Sequence, residues 1–287
     1  MRGAHPERRL EALVAESLTL GPGETLLVAC SGGPDSVALG ALAARAAEAA
    51  GAVVVLGHVN HGLRPGAWQD EGVVAALGAA LGLRTLSVGV EPGGSDEAAL
   101  REARYPALAA LARAAGAARI ATAHHARDQA ETVLMALFRG TGPDGLAGMP
   151  PARPLEDGLT LVRPLLRVDP ADLLAYCRSE HLPYARDPSN ADPAYRRNAV
   201  RAALDLLRET YPHLDEAVAR CAELVRDERG GTPRARLREG LRAAIAAGGT
   251  LDDVTMERVD AAVSLIERGG TGRVHLGPGV EVRVERG

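Results

Sequence analysis

The chain of 287 residues is 46% hydrophobic and 24% charged, the balance of a soluble globular protein with room for one large domain plus a small one or for two medium ones. No apolar run approaches the roughly 20 residues a membrane span needs, and Met1–Arg9 leads into no apolar secretory core, so a cytoplasmic protein with no membrane partner is expected. All 33 basic residues are Arg and the net charge is −4; this excludes a Walker-type lysine loop and a Schiff-base enzyme, and requires any nucleic-acid partner to be held by a local basic patch.

In chain order, His5 to Leu18 reads as an amphipathic helix. Glu24 to Cys30 (ETLLVAC) is a short apolar run suited to a buried strand, followed by a Gly-rich turn and a helix through Ala50. Further strands are predicted over Ala52–Val59, Arg84–Val90 and Arg119–Ala123. They alternate with helices over Trp68–Leu81, about Ser95–Ala115 and Ala126–Arg139, and Pro106 predicts a kink or break in the middle one. This alternation specifies an α/β fold, a doubly wound parallel sheet covered on both faces, with ligands at the carboxyl ends of its strands.

Gly140 to Gly158 is rich in Gly and Pro and reads as loop. Asp169 to His181 reads as a helix with Asp169 as N-cap and Pro170 at the first helical position. From about Pro212 the chain gives three helical segments and then a hairpin, Gly272–Leu276 against Val280–Val284, turned by Gly277-Pro278-Gly279. A boundary near Tyr211 therefore separates a domain of residues 1–211 from a smaller, mostly helical one of 212–287. Cys30, Cys177 and Cys221 form no C-x-x-C pair and read as packing thiols.

Ser31, Gly32, Gly33, Pro34, Asp35 and Ser36 lie between a buried strand and a helix. Glycine supplies positive φ angles, and exposed N–H groups with the helix dipole attract an anion. Hydroxyls of Ser31 and Ser36 add phosphate donors. Asp35 would repel phosphate unless a cation lies between, which makes it a Mg²⁺ contact. The ordered string S-G-G-x-D-S resembles the PP-loop of the ATP-pyrophosphatase superfamily. That likeness implies ATP as co-substrate, cleaved between its α and β phosphates with AMP passed to an oxygen.

Later segments narrow the resemblance. They are Val59-Asn60-His61-Gly62-Leu63-Arg64, the stretch His124 to Thr132 running into Arg139-Gly140-Thr141-Gly142, Val162-Arg163-Pro164-Leu165, Asp187-Pro188-Ser189-Asn190 and Arg197-Asn198-Ala199-Val200-Arg201. In this order they resemble the tRNA(Ile)-lysidine synthetase family over roughly Leu26 to Arg201. The resemblance implies a tRNA(Ile) partner with a CAU anticodon, whose wobble cytidine is adenylated at O2 and then takes free L-lysine through its ε-amine. It also implies that Asn60 and His61 border the ATP site and that Arg139, Gly140 and Thr141 lie near the activated base. Arg101, Arg104 and Tyr105 match the family helix after the third strand, where a guanidinium neutralises phosphate or orients the cytidine. Many members pair as homodimers, although no interface is legible here.

Helical spacing puts Asp128 and Glu131 on one face, with His125 beside them. They are expected to contact lysine or the metal, and a carboxylate or His there takes the proton an attacking amine must lose. Two Arg-rich stretches are candidate phosphate contacts, Arg186 to Arg208 (with Arg197 and Arg201 in the R-N-x-x-R motif) and Arg226 to Arg242; interleaved Asp and Glu leave both open to reading as solvated helix faces. Aromatics amount to 2%, so stacking on rings cannot dominate. The sequence departs from the family at Arg127 and Asp144. It also ends soon after the hairpin, where many members continue into an acceptor-stem domain, so discrimination is expected to rest on the two domains present. The rival readings are a tRNA thiolase, which needs paired cysteines, an amidating synthetase, which needs an ammonia-producing domain, and a catalytically silent nucleotide-binding module.

Overall fold

The computed structural model describes residues 6–60, 67–90, 97–185, 196–248, 254–277 and 280–284. Helix α1 (Pro6–Leu18) precedes strand β1 (Thr25–Ala29), and α2 (Pro34–Ala50), β2 (Val53–Asn60), α3 (Ala67–Leu81), β3 (Arg84–Gly89), α4 (Glu97–Ala115), β4 (Arg119–Ala121) and α5 (Ala126–Phe138) follow. The sheet order is β3-β2-β1-β4-β6-β5, where β6 (Thr160–Val162) is parallel to β4 and the edge strand β5 (Ala152–Pro154) is antiparallel. The chain winds outward from β1 through β2 to β3, then crosses to the other side of β1 to lay down β4. That reversal between β1 and β4 is where such sheets bind ligands.

Strand periodicity divides the apolar residues between two layers. Leu26, Val28, Val54 and Leu56 join the core with Val14 of α1, Leu39 of α2, Leu77 of α3 and Leu173 of α7 (Pro170–Ser179). Leu27, Ala29, Val55 and Ile120 face the other way, against Leu108, Leu111 and Ala112 of α4. Helix α2 follows from an Ala-rich sequence with Pro34 at its start and Gly51 at φ 67° closing its end. In α7 the Asp169 carboxylate accepts from the Ala171 N–H at 2.8 Å, the expected N-cap.

Two local expectations are corrected. Of the kink or break expected at Pro106, the break is absent: α4 is one helix from Glu97 to Ala115, and Leu108, Leu111 and Ala112 beyond the proline are buried. The stretch 140–158 contains α6 (Pro143–Leu146), β5 and a 3-10 turn over Glu156–Gly158, where a plain loop was expected. Strands of three residues carry too little alternation to be read from sequence.

The chain divides into two compact units, Met1–Thr141 with Gly148–Arg220, and Gly142–Ala147 with Cys221–Gly287. The first ends with α8 (Arg196–Thr210) and the start of α9 (Leu214–Gly230). The second continues α9 and adds α10 (Pro233–Gly248), α11 (Met256–Glu267) and the antiparallel pair β7 (Gly272–Gly277) and β8 (Val280–Val284). Its small core gathers Ile245, Ala262 and Leu276. Arg238, buried and charged, is matched by Asp227 at 2.9 Å and Asp260 at 2.5 Å.

Candidate active site

Strand β1 delivers the chain into the turn before α2. Gly32 takes φ 86°, and a Cβ there would stand 3.1 Å from the carbonyl oxygen of Asp70, so conformation and space both require glycine. Ser36 braces the loop from within. Its hydroxyl accepts from the Ser31 N–H at 3.1 Å, donates to the Gly33 carbonyl at 3.0 Å and lies 3.2 Å from the Ser31 hydroxyl. Gly33 is the N-cap residue of α2 and has no side-chain acceptor to offer. The first-turn N–H groups of Asp35 and Ser36 have no carbonyl four residues back within the helix to pair with, the general condition that lets a helix N-terminus bind an anion.

Strand β4, next to β1, delivers His125 to the start of α5. His125 is the N-cap, and its Nδ1 accepts from the Asp128 N–H at 3.4 Å while the Asp128 carboxylate accepts from the His125 N–H at 3.1 Å. This reciprocal cap leaves Nε2 of the neutral ring carrying the proton, and Nε2 lies 3.6 Å from the Asp35 carboxylate. Two helix N-termini thus converge on Asp35, His125 and Asp128, with the Asp35 side chain about one-third exposed (34%) and His125 mostly covered. Burial opposes charging of His125, but the neighbouring Asp35 and Asp128 carboxylates outweigh it and hold its pKa above the ordinary 6.5.

Magnesium is commonly held by one or two carboxylates together with substrate phosphates. Asp35 and Asp128, on either side of one imidazole, supply that donor set. Among the described residues no group of three or more His, Cys, Asp or Glu side chains forms a ready cage for a metal.

Glu131 shares the face of Asp128 but is fully buried, gripped by Arg201 from α8 with Nε 2.8 Å from Oε1 and a terminal nitrogen 3.1 Å from Oε2. Asn60 ends β2, half-buried, with its carbonyl accepting from the Val90 N–H at 2.8 Å. Arg104 is half-buried on α4, Arg139 is exposed at the C-cap of α5, and Thr141 donates its N–H to Ala136 at 3.3 Å. His61 and the segment Asp187–Asn190 lie outside the described residues. Arg101 and Arg197 belong to α4 and α8, with side chains outside the description.

Arginines that the sequence leaves open between phosphate contact and solvated surface mostly have protein partners. Arg208 pairs with Asp215 at 2.7 Å and with Asp205 at 2.5 Å. In the second unit Arg229 pairs with Asp144, Arg234 with Glu267, and Arg226 donates to the Ala147 carbonyl at 2.5 Å. Arg127 turns its Nε toward Asp215 at 3.8 Å.

Three structural residues escaped the sequence reading, Gln129 and Arg163 inside its motifs and His58 inside its second strand. His58 holds the Cys30 carbonyl through Nδ1 at 2.9 Å, fixing the end of β1 where the turn starts. Gln129 and Arg163, both buried, bind the backbone at Met149 and Pro150. The available signal was a polar residue at a position that strand or helix periodicity assigns to the interior.

A Gly-rich turn without lysine, at the reversal of a parallel sheet and facing an acidic, His-capped second helix, defines a PP-loop nucleotide-binding protein. The PP-loop domain family matches residues 4–206. The chain belongs to the tRNA(Ile)-lysidine synthase family within that class. It is 42% identical to the tRNA(Ile)-lysidine synthase of Symbiobacterium thermophilum over 231 residues, 77% of this chain and 47% of the relative. Against that of Salinispora tropica it is 47% identical over 207 residues, 70% and 62% of the two chains. Against that of Methylobacterium nodulans it is 42% identical over 259 residues, 88% and 68%. The match to the first two thus spans roughly half to three-fifths of the relative's length. Among solved structures, a U34-tRNA thiolase of Methanococcus maripaludis with its [4Fe-4S] cluster shares the fold, with a TM-score of 0.66 at 16% identity over 77% of this chain and 80% of the other.

Proposed function

We propose that the chain is an ATP-dependent ligase that joins free L-lysine to C2 of the wobble cytidine in a tRNA(Ile) with a CAU anticodon. The observation that carries this reading is the convergence of Asp35, His125 and Asp128 between the PP-loop and α5, in a family whose curated members are named for that product. In this reading the nucleotide's phosphates lie against the backbone N–H groups of Gly33, Asp35 and Ser36, and Asn60 and His61 border the site. Asp35 and Asp128 would hold Mg²⁺, which when bound offsets phosphate charge.

In the first step the cytidine O2 attacks the α-phosphorus; an O–P bond forms, the bond to the β-phosphate oxygen breaks and pyrophosphate leaves. In the second, the lysine ε-nitrogen forms a bond to C2, the C2–O bond breaks and AMP leaves with its electron pair. The ε-ammonium, with an ordinary pKa of about 10.4, first loses a proton. The Asp128 carboxylate, in contact with His125, accepts it and binds the amine. The chain has no lysine, so no internal amine competes for that site.

Residues 1–211 form the catalytic domain in this reading and 212–287 the smaller tRNA-contacting domain. Arg101, Arg104, Arg139, Thr141 and Arg197 bind tRNA. Arg201 serves by holding α8 through Glu131, because its fork is already matched to a buried carboxylate. A thiolase-type reading fares worse: Cys30 and Cys177 are buried thiols, pushed up by desolvation and, for Cys177, to about 12, the reverse of what a persulfide carrier needs. The test is pyrophosphate release measured with ATP alone, with lysine, with the tRNA, and with both. Release that requires a CAU tRNA(Ile), stops at about one equivalent per tRNA without lysine and goes on to lysidine when lysine is added supports the reading; release without tRNA, or no lysidine when both substrates are present, ends it.

A further inference from the structure

The Arg139–Thr141 limb leaves the end of α5 and the chain returns at Gly148, and the same helix holds both limbs. On the way out, Gly140 takes φ 70° and donates to Leu137 at 2.9 Å, while Arg139 and Thr141 both donate to the Ala136 carbonyl, at 3.1 and 3.3 Å. On the way back, the Gln129 side-chain amide forms a two-bond ring with the backbone N–H and C=O of one residue, Met149. Its Nε2 donates to the Met149 carbonyl at 3.0 Å, and its Oε1 accepts from the Met149 N–H at 2.8 Å. Gly148 makes the approach possible: at φ 59°, a Cβ there would lie 2.8 Å from Oε1. Arg163 continues the pinning, with its side chain on the Pro150 carbonyl at 2.8 Å and its own N–H on the Pro151 carbonyl at 2.7 Å.

Gln129 follows Asp128 directly and is itself 2% exposed, so the clamp and the proposed lysine-binding carboxylate hang from adjacent positions of one helix. A buried amide matched on both donor and acceptor sides fixes register in a way a single bond cannot. We propose that Gln129 is a positioning residue for the tRNA-dependent step: through Met149 it holds the returning limb, and thereby fixes where Arg139 and Thr141 stand relative to Asp128. This rests on the reading in which Arg139 and Thr141 approach the target base.

The experiment uses the full chain with Gln129→Ala, Gln129→Glu, Arg139→Ala and the double variant Gln129→Ala/Arg139→Ala. It reads amide hydrogen exchange at Met149, ATP–Mg²⁺ affinity, and kcat and KM for tRNA. Both Gln129 variants are expected to speed Met149 exchange at least tenfold, keep ATP affinity within about twofold, and lower kcat/KM for tRNA about tenfold. Gln129→Glu retains the side-chain volume and one acceptor, so it reports even where Gln129→Ala fails to fold. The double variant is expected to lose little beyond Arg139→Ala, because the clamp acts through the limb that carries Arg139. Fully additive losses, unchanged Met149 exchange, or a loss of ATP affinity equal to the loss in tRNA kinetics overturns the inference. Normal tRNA kinetics in Arg139→Ala instead overturns the placement of this limb at the base, while the exchange data still decide whether Gln129 sets its register.

Discussion

Arg201 and Glu131 join the two motifs H-H-x-x-D-Q-x-E-T and R-N-x-x-R through a two-pronged ion pair, 2.8 and 3.1 Å long, whose carboxylate side is completely buried and whose guanidinium side is about one-third exposed (32%). The pair also raises the pKa of Arg201, chiefly through its hydrogen bond to Glu131.

That asymmetry predicts unequal losses. Arg201→Met strands a buried carboxylate and is expected to cost about 3–5 kcal/mol in urea unfolding. Glu131→Gln leaves a guanidinium that can turn to water, and is expected to cost about 1–3 kcal/mol. If Arg201→Met unfolds at the wild-type urea concentration and changes only tRNA affinity, the pair is not the tie between α5 and α8.

In magnesium-free buffer His125 makes stability depend on pH. Its folded-state pKa is raised, first against burial and then by the Asp35 and Asp128 carboxylates. The folded state therefore holds the proton more tightly than the unfolded one. The resulting stabilisation is fully present below about pH 6.5 and fades as pH rises through the higher folded value. His125→Gln should flatten unfolding free energy across that window; an unaltered pH profile would falsify the carboxylate–imidazole contacts.

Gly32→Ala should abolish measurable ATP–Mg²⁺ binding by calorimetry, since φ 86° and the 3.1 Å approach to Asp70 both oppose a methyl group. Ser36→Ala removes the hydroxyl that joins Ser31 to Gly33 and should weaken ATP about tenfold or more. Equal ATP affinity in Gly32→Ala and wild type is the outcome that removes the turn from the nucleotide site.

Binding of tRNA should weaken steeply with salt, and Arg197→Ala should lower the slope of log K against log[salt] by about one. Arg229 already pairs with Asp144, so Arg229→Ala should leave that slope unchanged. The reverse pattern would move the phosphate path to the second unit.

Much of this was legible in the sequence because it is local. The apolar run ending at Cys30, the glycine that alone fits Gly32, and the Asp169 cap are each set by a few neighbouring residues. Order and spacing of the first four strands followed from alternating apolar runs. Strands β5 and β6 were not legible, being three residues long and fixed by pairing rather than propensity. The partner of Glu131 was hidden for another reason: a carboxylate on a polar helix face looks ligand-ready until α8 arrives from 70 positions away to cover it. Gln129 read as one letter of a motif, and only the return of the chain at Met149 gives its amide something to hold.

Asp35 and His125 are far apart along the chain, yet they meet because β1 and β4 are immediate neighbours in the sheet. In the proposed function each contributes half of the nucleotide mouth, and the two halves face each other only through the crossover that lays β4 beside β1. During synthesis the glycine turn emerges well before its opposing helix, so a growing chain carries a finished loop that has nothing to close against. Nucleotide capture in this architecture thus doubles as a report that the strands have joined in the right order.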